Sequence, residues 1–278
     1  MMYLNKKTIL KFILFLILCI AGFTTLYPLI WMAYTSLKTN PEIIMSTFAL
    51  PKSLHFENYV NAWNTANMDV YFFNSIFVCI ASVALTIIVG ALAAFILAKF
   101  QFRMKKFIYS LFIIGMLIPM QSVLVPLFIQ MRTLRLLDNP LSLILTYTAF
   151  GLPITIFVLE SFIKSFPDSI IEACVMDGGK IKHIFLEMIL PMSRPAIATV
   201  IILNFLNNWK EFSFALIFMS SDSKKTLPLG LYNFIGAHSS NYAELMAAMM
   251  IASVPIIILY LILQEQIING MTAGAVKG

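Results

Sequence analysis

The chain has 278 residues, of which 60% are hydrophobic and only 12% charged, and its mean hydropathy is +0.89. This is the composition of an integral membrane protein, and it excludes an ordinary soluble domain or a disordered tract. The formal charge of +6 is arranged as a membrane-orientation bias and needs no nucleic-acid partner to explain it.

Residues 12–34, 70–98 and 107–131 contain no Asp, Glu, Lys or Arg. Residues 140–163, 195–219 and 243–268 are nearly as apolar, interrupted by Glu160, Lys210, Glu211, Glu244 and Glu265. About 20 apolar residues cross the hydrocarbon of a bilayer. The expectation is therefore an all-α membrane protein of six transmembrane helices, one domain over residues 1–278. Lys6, Lys7 and Lys11 precede an apolar run that continues to Tyr34, too long for a signal-peptide core, so it is read as the first span. Between the first two spans, Pro41, Pro51 and Glu57-Asn58-Tyr59 mark a long connection, with a short helix expected over Glu57 to Asn67. Asp138-Asn139-Pro140 is a turn and helix-start signal. Pro119, Pro126, Gly151, Pro153 and Pro255 lie inside spans. They mark either ordinary kinks or a bundle bent around a path.

Lys and Arg set the orientation. With the N-terminus inside, twelve fall on the cytoplasmic side, among them Lys99, Arg103, Lys105, Lys106, Lys164, Lys180, Lys182 and Arg194. Six fall outside: Lys38, Lys52, Arg132, Arg135, Lys224 and Lys225. The bias is positive-inside, with both termini cytoplasmic. Cys19, Cys79 and Cys174 are scattered over two spans and a loop, so neither a disulfide framework nor a metal site is expected. No inverted repeat relates residues 1–139 to 140–278, and six spans are few for a secondary transporter built from two repeats. A second chain is expected to complete any pathway.

The cytoplasmic loop 164–194 is the polar, amphipathic stretch. Ser165 and Asp168 are expected to form a capping box around Pro167, opening a helix that runs to about Asp177. Gly178 and Gly179 then allow the chain to reverse. A second amphipathic turn follows with Ile181, Ile184, Phe185 and Met188 on one face and Lys180, Lys182, His183 and Glu187 on the other. Pro191 ends it. Lipid headgroups are one conceivable contact for such a hairpin. Asp168, Glu172 and Asp177 weigh against them, because the inner leaflet is itself negative, and favour a soluble protein.

Glu172-Ala173-Cys174, then Asp177-Gly178-Gly179, Phe185 and Leu190-Pro191 closely resemble the EAA loop of permease subunits in binding-protein-dependent ABC importers. Cys174 and Gly179 stand where the family has alanine. The tail Asn269-Gly270-Met271-Thr272-Ala273-Gly274-Ala275-Val276-Lys277-Gly278, with Asn74-Ser75 and Trp209, resembles the maltose-transporter type of carbohydrate permease. The resemblance implies a bacterial inner-membrane protein of the type I permease fold, importing a sugar handed over by an extracytoplasmic binding protein. It implies a second permease subunit and two cytoplasmic ATPase subunits as partners. It also implies that Glu172, Ala173, Asp177, Gly178, Phe185 and Pro191 form the coupling site, and that the tail reaches between the ATPases. No G-x-x-x-x-G-K-[ST] loop is present, so ATP and Mg would be held by the partners and no cofactor by this chain.

Asn204, Asn207, Asn208 and Glu211 share one helical face in the fifth span. Lys210 and Glu211 point about 100° apart, so each needs another partner or water. Amides beside Phe205, Trp209 and Phe212 suit a sugar. Asn204, Phe205, Asn208, Trp209, Lys210 and Glu211 are therefore candidates for the substrate path, with inter-helix bonding as the equal alternative. Lys210 replaces the family's usual asparagine, which fits either an acidic sugar or a local ion pair. Transport of another small solute, such as an amino acid or polyamine, is an alternative reading. So, further off, is a membrane enzyme, although neither H-E-x-x-H nor G-x-S-x-G occurs.

Overall fold

Apolar side chains dominate this chain, and a backbone that crosses hydrocarbon must satisfy its own polar groups, which a helix does. The computed structural model describes residues 6–65, 67–232, 234 and 241–275, and the described residues form helices joined by short links. The chain divides into two units, one of residues 1–68 with 231–253 and the other of residues 69–230 with 254–278.

In the first unit, α1 (Lys6–Thr35) is followed by α2 (Asn40–Met45) and α3 (Glu57–Thr65). α2 opens on a capping box: Glu42 N–H donates to Thr39 Oγ1, and Thr39 N–H donates back to the Glu42 carboxylate. The link from α1 is not a free loop. Buried Lys38 donates to the Ser46 and Thr47 carbonyls at 3.1 and 3.2 Å. Asn58 on α3 donates to the Ser36 and Lys38 carbonyls, both at 2.8 Å. These bonds satisfy backbone groups that the chain reversal leaves without helical partners. Asn40 accepts from Ala243 N–H at 3.0 Å and donates to Asn241 at 2.8 Å, which fixes the start of α14 (Tyr242–Ala275).

The second unit begins along α4 (Met68–Lys99), 32 residues without an interior proline. The run 107–131, read from sequence as one span, is instead a bent pair. α5 (Lys105–Gly115) meets a 3-10 turn (Met120–Val123) and α6 (Leu124–Thr133) at 97°. Pro119 supplies no N–H and pushes Ile118 out of the helical region. The N–H groups of Leu117 and Ile118 fall back to i−3 carbonyls, and the helix stops. α7 (Pro140–Lys164) starts where the sequence signals it, with Asn139 accepting from Leu141 N–H at 3.0 Å. It is followed by α8 (Asp168–Met176) and α9 (Ile181–His183). A π-helical turn (Ile184–Ile189) and α10 (Leu190–Met192) lead into α11 (Arg194–Trp209).

The run 195–219 is also broken. α11 ends at Lys210, and α12 (Ser213–Phe218) begins a separate helix. A 3-10 turn (Asp222–Lys224) and α13 (Leu227–Tyr232) follow. Among the described residues, four helices are long and apolar enough to cross a membrane, and two bent pairs pass the same test together: α5 with α6, and Ile181–Met192 with α11. The fifth apolar run thus joins the preceding hairpin through a 73° bend rather than continuing to residue 219.

Two packed clusters hold the second unit. One joins Val78, Leu143, Tyr147, Phe214 and Phe218 from α4, α7 and α12. The other joins Ala91, Ala94 and Phe95 of α4 with Leu159, Ile163, Ile184, Ile189 and Val200. Lipid tails are as apolar as leucine, so close packing, rather than escape from water, makes these contacts count. Gly151 shows how close: a β-carbon there would overlap the Asn204 carboxamide oxygen.

Candidate functional site

Among the described residues, three places gather polar side chains in the second unit: the hairpin over residues 164–192, a groove beside the end of α11 and a clasp around Asp138. The hairpin begins differently from the sequence expectation. Ser165 does not cap α8; it closes α7, and its hydroxyl donates to the Phe162 carbonyl at 2.6 Å. Pro167 occupies the N-cap of α8 with no side-chain bond. Asp168 completes no capping box either, because Lys99 claims it: Nζ donates to the Asp168 carboxylate and to the Phe166 carbonyl, both at 2.7 Å. The acidic group still sits in the first turn, where the helix dipole favours it.

α8 ends where Gly178 adopts φ +81°, a left-handed conformation that a side chain would strain. Gly178 N–H bonds to the Val175 carbonyl at 3.0 Å and Gly179 N–H to that of Cys174 at 2.8 Å, satisfying the last turn. Glu172, Ala173, Asp177 and Gly178 are all exposed. Ile171 and Cys174 turn inward onto the second cluster. A concave surface of about 670 Å³ lies between α8 and the returning helical arm of the hairpin, lined by Ala173, Cys174, Asp177, His183 and Glu187 among others.

Phe185 is not with the exposed residues. Its ring packs on Phe95 of α4 at 5.3 Å and is half-buried. Ile181, expected on the packed face, is 59% exposed. The rest of that face packs as expected, with Ile184 buried and Phe185 and Met188 half-buried. After Ile181–His183 the helix widens into a π turn, in which Leu190 N–H reaches back five residues to the Phe185 carbonyl. Exposed Pro191 opens α10 and has no N–H to give to that ladder, which is consistent with the wider turn just before it.

In the groove, the amide face of α11 is largely engaged. Asn204 donates to Thr155 Oγ1 at 2.9 Å and Asn208 to Ser82 Oγ at 2.9 Å, and both are buried. Buried Glu211 accepts from the Tyr147 hydroxyl at 2.7 Å and from the N–H groups of Phe214 and Ala215 at 2.8 and 3.2 Å. Its carboxylate therefore caps α12, which starts two residues later. Asn207 and Lys210 are exposed, and with Asn204, Asn208 and Glu211 they line a groove of about 490 Å³ beside Phe150, Phe212 and Met120. Phe205 and Trp209 are placed elsewhere: they stack on each other at 5.4 Å, Trp209 meets the edge of Phe72 at 5.8 Å, and neither lines the groove. Lys99, Ser82, Tyr147 and Thr155 are absent from the sequence candidates. Their roles depend on partners in other helices, which no local pattern reveals.

Beyond the spans, Asp138 forms a third polar knot. Its carboxylate accepts from the Ser221 hydroxyl at 2.5 Å, from the Ser220 and Ser221 N–H groups at 3.1 and 3.0 Å, and from Lys224 at 3.3 Å. Bonds from Ser221, then Ser220 and Lys224, hold the carboxyl well below the usual range. Among the described residues no group of three or more His, Cys, Asp or Glu side chains could hold a metal.

Residues 86–272 match the family model of the binding-protein-dependent transport system inner membrane component. The chain belongs to that family. The permease is 36% identical over 252 residues to the diacetylchitobiose uptake system permease protein NgcG of Streptomyces coelicolor, covering 90% of this chain and 83% of that protein. It is 36% identical over 270 residues to the sulfoquinovosyl glycerol transport system permease protein SmoH of Agrobacterium fabrum, covering 97% and 94%. Among solved structures, a bacterial ABC transporter that imports the acidic polysaccharide alginate has a chain of the same fold. The TM-score is 0.80 at 22% identity, over 95% of this chain and 99% of that one. The permease is thus an all-α membrane protein of the type I importer fold and a transport component, not an enzyme.

Proposed function

We propose that the permease forms half of the membrane pathway of an ATP-driven sugar importer, with a second, related permease subunit as the other half. Two cytoplasmic ATPase subunits drive it, and they rather than this chain hold ATP and Mg. An extracytoplasmic binding protein delivers the sugar. Relatives named for diacetylchitobiose, for sulfoquinovosyl glycerol and, in Streptococcus mutans, for multiple sugars support the carbohydrate reading. The termini and the hairpin are cytoplasmic in this account, following the Lys and Arg bias.

The observation that carries the proposal is α8 itself. It is a short helix with one side fastened to the bundle, and it presents Glu172, Ala173, Asp177 and Gly178 to solvent beside a concave surface. A helix displayed in this way is a docking element, and a docked ATPase would move it as a body. Phe185 then belongs to the anchor beneath the site, and Pro191 to the turn behind it. Of the path candidates, Lys210 is the group placed to meet solute, with exposed Asn207 beside it, while Asn204, Asn208 and Glu211 shape the wall. The tail 269–278, for which the resemblance implies a reach between the ATPases, is helical as far as Ala275, and residues 276–278 lie outside the described residues.

The test is reconstitution of the complete transporter in proteoliposomes. ATP hydrolysis stimulated by the sugar-loaded binding protein, with uptake of that sugar, is the expected result. Glu172→Lys should keep hydrolysis while uptake falls, and unchanged uptake in that variant would count against docking through α8.

A further inference from the structure

Among the described residues, α4 is the span with neither an interior proline nor a break. α1, α7 and α14 carry Pro28, Pro153 and Pro255, and the other two candidate spans are bent pairs. Its 32 residues give a continuous rod about 48 Å long. Polar bonds tie the rod to the rest of its unit at both ends. At the hairpin end, Lys99 grips the Phe166 carbonyl and the Asp168 carboxylate, although its own side chain is only 7% exposed. One turn back, Phe95 packs against both Phe185 and Phe100, at 5.3 and 5.5 Å. At the other end, Asn74 donates to the Ser223 and Lys225 carbonyls, each at 2.9 Å. Ser75 Oγ accepts from Leu227 N–H at 2.7 Å. Midway, Ser82 holds Asn208 at the groove wall.

We propose that α4 carries the motion of the coupling hairpin to the segment 223–227 on the opposite side of the membrane. Lys99 and Asn74 are its positioning residues. The inference rests on the docking role proposed for α8. The physical argument concerns stiffness. Chain connectivity links α8 to α7 through Ser165–Pro167, where the side-chain bond of Ser165 closes α7 and none caps α8, so the link by itself sets the angle of α8 weakly. The Lys99 bonds and the Phe95–Phe185 contact instead fix both arms of the hairpin to one unbroken helix, so displacement at one end must appear at the other. Alone, a lysine satisfying a turn carbonyl would serve only stability. Asn74 and Ser75 make the difference, because they hold three backbone groups at the far end of the same rod.

The experiment uses the full transporter with its binding protein, in a background where Cys19, Cys79 and Cys174 are replaced by serine. Ser223→Cys, at an exposed position, is labelled with a membrane-impermeant maleimide with and without a non-hydrolysable ATP analogue, and uptake and hydrolysis are measured in parallel. In the parent the labelling rate should change with nucleotide. Lys99→Met should retain hydrolysis and lose that change, and uptake should fall roughly three- to thirtyfold, the range for single substitutions along a coupled element. Lys99→Arg should restore both. If Lys99→Met blocks assembly, Asn74→Ala decides by the same readouts. Parental labelling and uptake in Lys99→Met, or in Asn74→Ala where that variant decides, overturn the inference, as does a parent whose labelling ignores nucleotide. An uncoupled Glu172→Lys beside a parental Lys99→Met sinks only the rod, whereas parental uptake in Glu172→Lys sinks the docking role itself.

Discussion

Adjacent charges at Lys210 and Glu211 have opposite fates. Glu211 is buried and accepts three hydrogen bonds, while Lys210 is exposed in the groove. Glu211→Ala should therefore strip partners from the Tyr147 hydroxyl and two α12 N–H groups, costing about 1–3 kcal/mol for each polar group left buried and unsatisfied. A drop in the melting temperature of the detergent-solubilised complex measures it, and an unchanged melting temperature would count against the capping role. Lys210→Asn should leave that temperature alone and alter uptake rate or sugar preference. Parental kinetics across candidate sugars would remove Lys210 from the path. Asp138 belongs to the same scale. Its carboxyl is held below the usual range, so the clasp it forms persists above the unfolded value of about 3.9 and weakens only as pH falls toward the folded one. Amide exchange at Ser220 and Ser221, corrected for intrinsic rates, should stay constant from pH 8 to 5. Asp138→Asn should raise it roughly tenfold, the equivalent of about 1.5 kcal/mol for a hydrogen bond to a charged group.

At the level of elements, what the sequence shows plainly are the features that repeat or punctuate along one helix. Long apolar runs became α1, α4 and, with Glu160 as its one charge before Lys164, α7, and Asn139-Pro140 marked the start of α7 because cap and first-turn residues are neighbours in sequence. Features that need a partner from another helix were hidden. Asp168 looked like a capping residue until Lys99, 69 positions away, was seen to hold it. Pro119 was visible, but only the turn geometry converts a kink into a 97° bend. The end of α11 at Lys210 had no breaker residue to announce it; the Glu211 side chain opens α12 there instead. Of the four residues expected on the packed face of the second arm Ile181 alone is exposed, and the π-helical turn that follows at Ile184–Ile189 is a feature that 3.6-residue periodicity cannot express. Of the residues that the resemblance assigns to a coupling site, Glu172, Ala173, Asp177 and Gly178 are exposed, whereas Phe185 packs beneath the hairpin on Phe95.

For the whole molecule, these elements describe a permease whose groove and hairpin are linked through α4. Its Ser82 meets Asn208 at the groove wall, and its Lys99 meets the hairpin. The sequence has no G-x-x-x-x-G-K-[ST] loop, and in the proposed account the work of transport enters through contact with an ATPase subunit. The most direct measurement is site-specific crosslinking from Glu172→Cys, in the cysteine-replaced background, within the assembled transporter. The account predicts a covalent adduct with an ATPase subunit, formed from the cytoplasmic side and changed in yield when nucleotide closes the ATPase pair. A residue 172 that labels only from outside the cell, or that never crosslinks to the ATPase in a transporter still able to import sugar, would contradict it.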